Sequence, residues 1–314
     1  TPAPTPTATR VVDYVPTATK TPTPLPSPTP TTTSLPPAPA VATSTPIPAR
    51  TDISHVVIIS IDGLRPDALD VAEAPFLDDL RARGAYSPRA QTVSLSITLP
   101  GHASMLTGMT PDKHGILWGV PYIGWPGMNG PSLFSVAHEA GLSTAMVFGK
   151  EKLHYLVLPN SVDTLWGADM SDTEVKQRAV EVIEAGLPHV LFVHFPDTDR
   201  VGHSYGWLSA NQLQSIAFVD SLIGEIVAAL ERGGYQNSTL LLITADHGGH
   251  GTSHGDDSPE DRTIPWLAVG PGVRPGVTLT ITINTYDTAA TAAYALKLPI
   301  PEHWDGRPAL EIFE

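Results

Sequence analysis

Residues 243–255, ITADHGGHGTSHG, hold one aspartate and three of the chain's twelve histidines within thirteen positions. Imidazole and carboxylate together bind borderline divalent cations. One histidine in such a place reads as a polar surface loop. Asp246, His247, His250 and His254 together are too dense for that reading. Similar groups recur far away in the chain: Asp62, and Asp199 with His203 four positions on. Thr98 adds a hydroxyl. No cysteine is present, which excludes thiolate ligands, cysteine nucleophiles and disulfides. A mixed Asp/His set suits Zn²⁺ first, with Mn²⁺ or Fe as alternatives. Asp62, Asp199, His203, Asp246, His247 and His254 with a hydroxyl are too many for one tetrahedral ion. They suit two ions about 4 Å apart, an arrangement that stabilises both the attacking and leaving oxygens of a phosphoryl displacement.

These groups fall where buried strands end. His55-Val56-Val57-Ile58-Ile59-Ser60-Ile61 is a continuous apolar run that stops at Asp62-Gly63. Residues 189–195 form another, leading to Asp199 and His203, and residues 239–243 lead to Asp246. Continuous rather than alternating apolar runs mark strands of a parallel sheet covered on both faces. Further strands are expected at 142–148, 264–269 and 277–283. Helices are expected at 74–83, from Pro100 to about 106, at 131–140, 171–185, 209–231 and 287–297, several ended by glycine. Residues 109–130 read as a Gly/Pro-rich aromatic loop. Strands alternating with helices predict an α/β fold with a doubly wound, mostly parallel sheet and helices on both faces. Ligand groups then gather at the carboxyl ends of its strands.

Composition divides the chain. Residues 1–50 contain 14 prolines, 14 threonines and almost no large apolar side chains. Such a segment cannot offset its ordering entropy by burial, so it is expected to be a disordered Thr/Pro-rich linker or stalk. Residues 51–314 suit one large domain. With no run of about 18 apolar residues, no membrane span is expected. The stalk points to a secreted, periplasmic or cell-surface protein whose signal or lipid anchor has been removed. Arg10, Lys20 and Arg50 against Asp13 leave a formal −16 on residues 51–314 out of −14 for the chain. That opposes binding to a nucleic-acid duplex. It does not oppose a small phosphorylated substrate, because bound divalent cations reverse the local sign.

Ile61-Asp62-Gly63-Leu64-Arg65, Thr98-Leu99-Pro100-Gly101-His102, Asp199-Arg200-Val201-Gly202-His203, Asp246-His247-Gly248, His254-Gly255 and Gly270-Pro271-Gly272 carry a resemblance. In this order they resemble the alkaline phosphatase superfamily, and within it the type I phosphodiesterase/nucleotide pyrophosphatase branch close to phosphonoacetate hydrolase. The resemblance implies an alkaline phosphatase-like metallohydrolase domain. One ion would be held by Asp62, Thr98, Asp246 and His247, the other by Asp199, His203 and His254. Thr98 would be the nucleophile and pass through a phospho-threonine. The backbone N–H of Leu99, at a helix start, could face a phosphate oxygen. Lys150-Glu151-Lys152 resembles the paired lysines that hold the substrate carboxylate in phosphonoacetate hydrolase. Phosphonate C–P hydrolysis is therefore an alternative to phosphodiester or phosphomonoester hydrolysis. A solvated turn is the plain reading of the same lysines.

Departures from the family pattern are informative. In the family pattern an Asn that donates to phosphate stands where this chain has Gly119; either Asn129 or the lysines substitute, or the contact is lacking. The long insertion of nucleotide pyrophosphatases between the Asp-His pair and the last histidine is missing, since His247 and His254 lie seven positions apart. Without cysteine or a matching serine motif, a sulfatase is not expected. A noncatalytic, metal-containing surface module is the rival from another class. Asp197 competes with Asp199 as a ligand, and His250 with His254. His102, His114 and His194 are expected to make supporting hydrogen bonds. Trp118, Tyr122, Trp125, Tyr205 and Trp207 either line a pocket or pack.

Overall fold

The computed structural model describes residues 53–120, 124 and 127–313. The expected stalk over 1–50, together with Tyr122 and Trp125, lies outside the described residues.

Eight strands form one sheet: β1 (His55–Ile61), β2 (Ala85–Gln91), β3 (Thr144–Phe148), β4 (Thr164–Gly167), β5 (Val190–Phe195), β6 (Thr239–Thr244), β7 (Thr263–Val269) and β8 (Val277–Thr278). Their order is β4-β3-β5-β1-β6-β7-β2-β8. β1 runs parallel to both β5 and β6. All of β5 and β6 is buried, as is β1 beyond its half-buried first residue, His55. That is why their sequences are apolar throughout instead of alternating. Register then decides what meets. Ile61 lies opposite Phe195, and Ser60 opposite Thr244. The residues just beyond these strands, Asp62, Pro196 and Asp246, therefore leave the sheet side by side. Phe148 of β3 lies opposite His194, which brings Gly149 and Lys150 to the same edge.

Helices pack in two groups. Pro75–Arg83 and Asp172–Gly186 both pack on Ala210–Arg232, and Thr98–Thr107, Leu133–Glu139 and Asp287–Ala295 form the other group. Ser132 and Ser171 begin their helices with capping boxes, and Ser209 caps Ala210–Arg232. Ala210–Arg232 is long and apolar enough to cross a membrane by length and hydropathy. Its apolar face, including Ile216, Ile223 and Ile226, is nevertheless buried in this domain. Its Asp220 also accepts the first N–H groups of the Pro75–Arg83 helix, from Phe76 and Leu77.

Several expectations shift. β7 is antiparallel to β6 and β2, so the sheet is mixed beyond its parallel centre. β2 contains Pro88 and Arg89 and carries no apolar pattern. Its register shifts between Ser87 and Ala90, a bulge that accommodates the proline. β4 is an exposed edge strand that the apolar pattern does not mark. The expected 277–283 strand shortens to two residues. The helix expected from Pro100 begins at Thr98, and a one-turn helix, Pro111–His114, interrupts the aromatic loop.

Candidate metal centre

Two strand ends and two helices converge at this edge. Asp62 follows β1, and Asp246 and His247 follow β6. All three are fully buried. Thr98 is the first residue of the Thr98–Thr107 helix and is also buried. Two glycines permit the approach. A Cβ on Gly101 would lie 2.6 Å from the Asp246 carbonyl oxygen, so only glycine lets this helix rest against that strand end. Gly63 has φ +71°, a conformation favouring glycine, and its N–H donates to Asp246 Oδ1 at 3.2 Å. Asp199 and His203 lie four apart on the helix Asp197–Tyr205, and His203 Nε2 is 3.4 Å from Asp199 Oδ1. His254 Nε2 reaches the same oxygen at 3.5 Å. The His254 and His247 rings stack with centroids 3.7 Å apart.

The histidines separate by which nitrogen they commit. His203 Nδ1 donates to the Thr252 carbonyl, His254 Nδ1 to that of Ser96, and His247 Nδ1 to that of Gly248, at 2.8–2.9 Å. Each therefore turns Nε2 toward the carboxylates. His247 Nε2 is 3.3 Å from Asp62 Oδ1 and 3.2 Å from Asp246 Oδ2. By contrast, His194 Nδ1 accepts from the Gly149 N–H, and its Nε2 donates to Asp62 Oδ2 at 2.9 Å. His102 Nδ1 donates to the Thr98 carbonyl and Nε2 accepts from Ser60. His114 accepts the Ile116 N–H and bonds Ser104. These three have no free lone pair to offer and orient their neighbours.

Asp62 Oδ1, Asp199 Oδ1, Asp246 Oδ2 and His247 Nε2 are buried without a hydrogen-bond partner. Orphaned buried polar atoms are costly. These four converge as two sets compatible with a metal ion: Asp62, Asp246 and His247, and Asp199, His247 and His254. His203 adjoins the second set through Asp199. The oxygen and imidazole donors fit Zn²⁺ or Mn²⁺. Asp197, the competitor of Asp199, is used elsewhere: its carboxylate and that of Asp172 each accept the other's backbone N–H.

Charge at the site follows from burial and crowding. Burial pushes the Asp62 carboxyl up, but the Lys150 charge, the His194 hydrogen bond and the nearby His247 imidazole outweigh it and hold it well below the usual range. Asp246 is pushed up by burial and by Asp62. For His247 burial is outweighed by Asp246 and Asp62, which raise it to about 9. His254 falls to about 4 through burial and the His247 charge, and burial brings His102 to about 4.

Lys150 sits deeper than a solvated turn. Its Nζ lies 2.7 Å from Asp62 Oδ2, 2.5 Å from Asp199 Oδ2 and 3.4 Å from Thr98 Oγ1. Burial lowers the Lys150 pKa, but Asp62 and Asp199 raise it further, so the side chain stays charged. Beside it opens a cavity of about 990 Å³, lined by Gly119, Val120, Lys150, Lys152, Tyr155 and Arg200 among others. Burial and the Lys150 charge lower the Lys152 pKa. Asn129 does not line this cavity and donates instead to the Lys113 carbonyl. Leu99 is buried at the second position of the Thr98–Thr107 helix. Of the aromatics, Trp207 packs under the site: its Nε1 donates to the Gly63 carbonyl and its ring meets His203 and His254 edge-on. Trp118 packs edge-on against Tyr155, and Tyr205 is exposed. Tyr155 and His154 line the cavity without any signal in local sequence.

These strand-end groups form a candidate metal centre in an α/β domain. Residues 56–118 and 125–269 match the type I phosphodiesterase / nucleotide pyrophosphatase family, and the chain belongs to it. It is 27% identical over 236 residues to a pyrophosphatase/phosphodiesterase of Schizosaccharomyces pombe, covering 68% of this chain and 47% of that one. It is 25% identical over 228 residues to ectonucleotide pyrophosphatase/phosphodiesterase family member 3 of Mus musculus, covering 66% of this chain and 26% of that one. The chain thus spans about half of the first relative and about a quarter of the second. Its fold is shared with murine ectonucleotide pyrophosphatase / phosphodiesterase 5 (TM-score 0.72, 15% identity, 83% of this chain and all of that one). The phosphonate monoester hydrolase of Silicibacter pomeroyi also shares it (TM-score 0.63, 16% identity, 82% and 76%).

Proposed function

We propose that this domain is a two-metal hydrolase of phosphoric esters that uses Thr98 as its nucleophile. The observation that carries the reading is the convergence of two ligand sets, whose histidines His247 and His254 present Nε2, around Lys150, which also reaches Thr98 Oγ1 at 3.4 Å. Asp62, Asp246, His247 and Thr98 would hold one ion, and Asp199, His203 and His254 the other. Bound there, divalent cations would lower the hydroxyl pKa and neutralise charge developing on the phosphoryl oxygens.

The chain's own groups supply the rest. Thr98 Oγ1 forms a bond to phosphorus as the bond to the ester oxygen breaks, and the departing oxygen takes a proton from solvent. Water then attacks the phospho-threonine, and Thr98 recovers its proton as phosphate or the phosphomonoester leaves. The N–H of Leu99 faces a phosphoryl oxygen from the helix start. Lys150 places a fixed positive charge beside Thr98, where Gly119 offers no donor. Lys152 lines the route by which an anionic substrate enters. The names of the relatives favour a phosphodiester or pyrophosphate substrate, and the ectonucleotide and venom enzymes among them favour an exported location. Zn²⁺ is the preferred metal.

Thr98→Ala tests this. Turnover of a chromogenic phosphodiester and an aryl phosphomonoester should fall by on the order of 10⁴-fold or more, with metal content staying near two per chain. Full activity in that variant would refute the proposal. Lys150 and Lys152 in the cavity favour one second reading, C–P hydrolysis. Phosphate release from phosphonoacetate, lost in Lys150→Ala, would support it, and no release would remove it. A noncatalytic module would bind metal and turn over neither ester.

A further inference from the structure

The turn that carries His254 is held by a residue outside every motif. Asp261 lies in the short helix Pro259–Arg262 and is completely buried. Its two carboxylate oxygens serve opposite flanks of the turn. Oδ1 accepts from His250 Nδ1 at 2.7 Å, four residues before His254. Oδ2 accepts the Asp256 N–H at 2.8 Å, two residues after it. The Asp261 backbone carbonyl accepts the Gly248 N–H at 2.7 Å, next to His247, and the Glu260 carbonyl accepts that of Gly249 at 2.9 Å. Ser258 Oγ in turn accepts the Asp261 N–H. The turn closes on itself through the reciprocal His250 and Ser253 backbone pair.

From this geometry we infer that Asp261 is a positioning residue for the second ion, acting through His254 and resting on the two-metal reading above. A carboxylate accepts from both flanks at once, which fixes the separation of residues 250 and 256 and so the place of His254 between them. An alanine frees both flanks. An asparagine accepts from one flank and points its amide N–H groups at the donor of the other, so half of the clamp is lost. The His250, Asp256 and Asp261 group has ligand-type side chains. Both Asp261 oxygens are already engaged, however, and the Asp256 side chain is 77% exposed with its Oδ2 3.8 Å from His250 Nε2. Clamping therefore accounts for the group better than a third ion does.

The test is Zn²⁺ content and affinity, read by elemental analysis after dialysis against graded chelator, on the full chain. Asp261→Ala should retain one ion and release the other at least tenfold more readily than wild type, matching His254→Ala. Asp261→Asn and His250→Ala should fall between. His250→Asn, whose amide can donate in place of Nδ1, should restore most of the affinity. Retention of the first ion is the folding control, because misfolding would remove both. Two ions held with wild-type affinity in Asp261→Ala, while His254→Ala loses one, would overturn this inference and leave the two-metal reading standing. Two ions retained in His254→Ala would overturn both. A third ion in wild type that disappears in Asp261→Ala would make Asp261 a ligand and overturn the clamp.

Discussion

Asp62, Asp246 and His247 leave two neighbouring parallel strands and are wholly buried, whereas His203 and His254 reach Asp199 from a nine-residue helix and a turn. The His203 side chain is 45% exposed. The first half of the centre is thus positioned by the sheet, whose register cannot shift without moving the core. The second half depends on local hydrogen bonds: His203 to Thr252, His254 to Ser96, and Asp261 to both flanks of the turn. Under the proposed mechanism, the sheet-borne groups are those beside Thr98. Under the same proposal, an ion held by the helix- and turn-borne groups would exchange more readily. His247 joins them, since its Nε2 belongs to both ligand sets.

That contrast breaks most sharply at the histidines. His247→Ala should leave less than one ion per chain and lower affinity at least about 100-fold, while His203→Ala should keep one ion and lose only the more exposed one. Equal losses in the two variants would mean that the halves are not distinct. His194→Ala removes the donor that orients Asp62 and should cost roughly 10–100-fold in affinity for the first ion, leaving the second unchanged in a chelator competition. The smallest effect concerns the support of the Asp199 helix. Burial first, then the neighbouring Asp197, pushes the Asp172 carboxyl up to about 8 from its ordinary 3.8. A group raised on folding stabilises below its unfolded value and loses that contribution as pH rises through the folded one. Wild type should therefore lose stability between about pH 4 and 8. Asp172→Asn keeps an acceptor for the Asp197 N–H, should lack this loss, and should gain roughly 2–4 °C in Tm at pH 9.

What could be read beforehand follows the same division. β1, β5 and β6 are buried on both faces, so their apolar runs announce them, and the groups at their ends fall at fixed places. Asp199 and His203, four apart, lie on one helix whose existence local sequence left open. β2 escapes the pattern because Pro88 and Arg89 sit in a bulged, partly exposed strand. β4 escapes because its four residues are exposed or half-buried. Lys150 between Asp62 and Asp199 is fixed by the pairing of β3 with β5, which no local pattern records. Asp261 lies outside every motif, and its place follows only from the turn that folds back on it. The orientation of His203 and His254 likewise depends on the Thr252 and Ser96 carbonyls, which are distant in sequence.

The central claim is that Thr98 carries the phosphoryl group during turnover. Zn²⁺-loaded protein turning over a chromogenic phosphodiester should be quenched in acid and its peptides analysed by mass spectrometry. The expected result is a phosphoryl group on the peptide containing Thr98, present only with substrate and absent from Thr98→Ala. Sustained turnover with that peptide unmodified at every quench time, and with Thr98→Ala as active as wild type, would contradict the account.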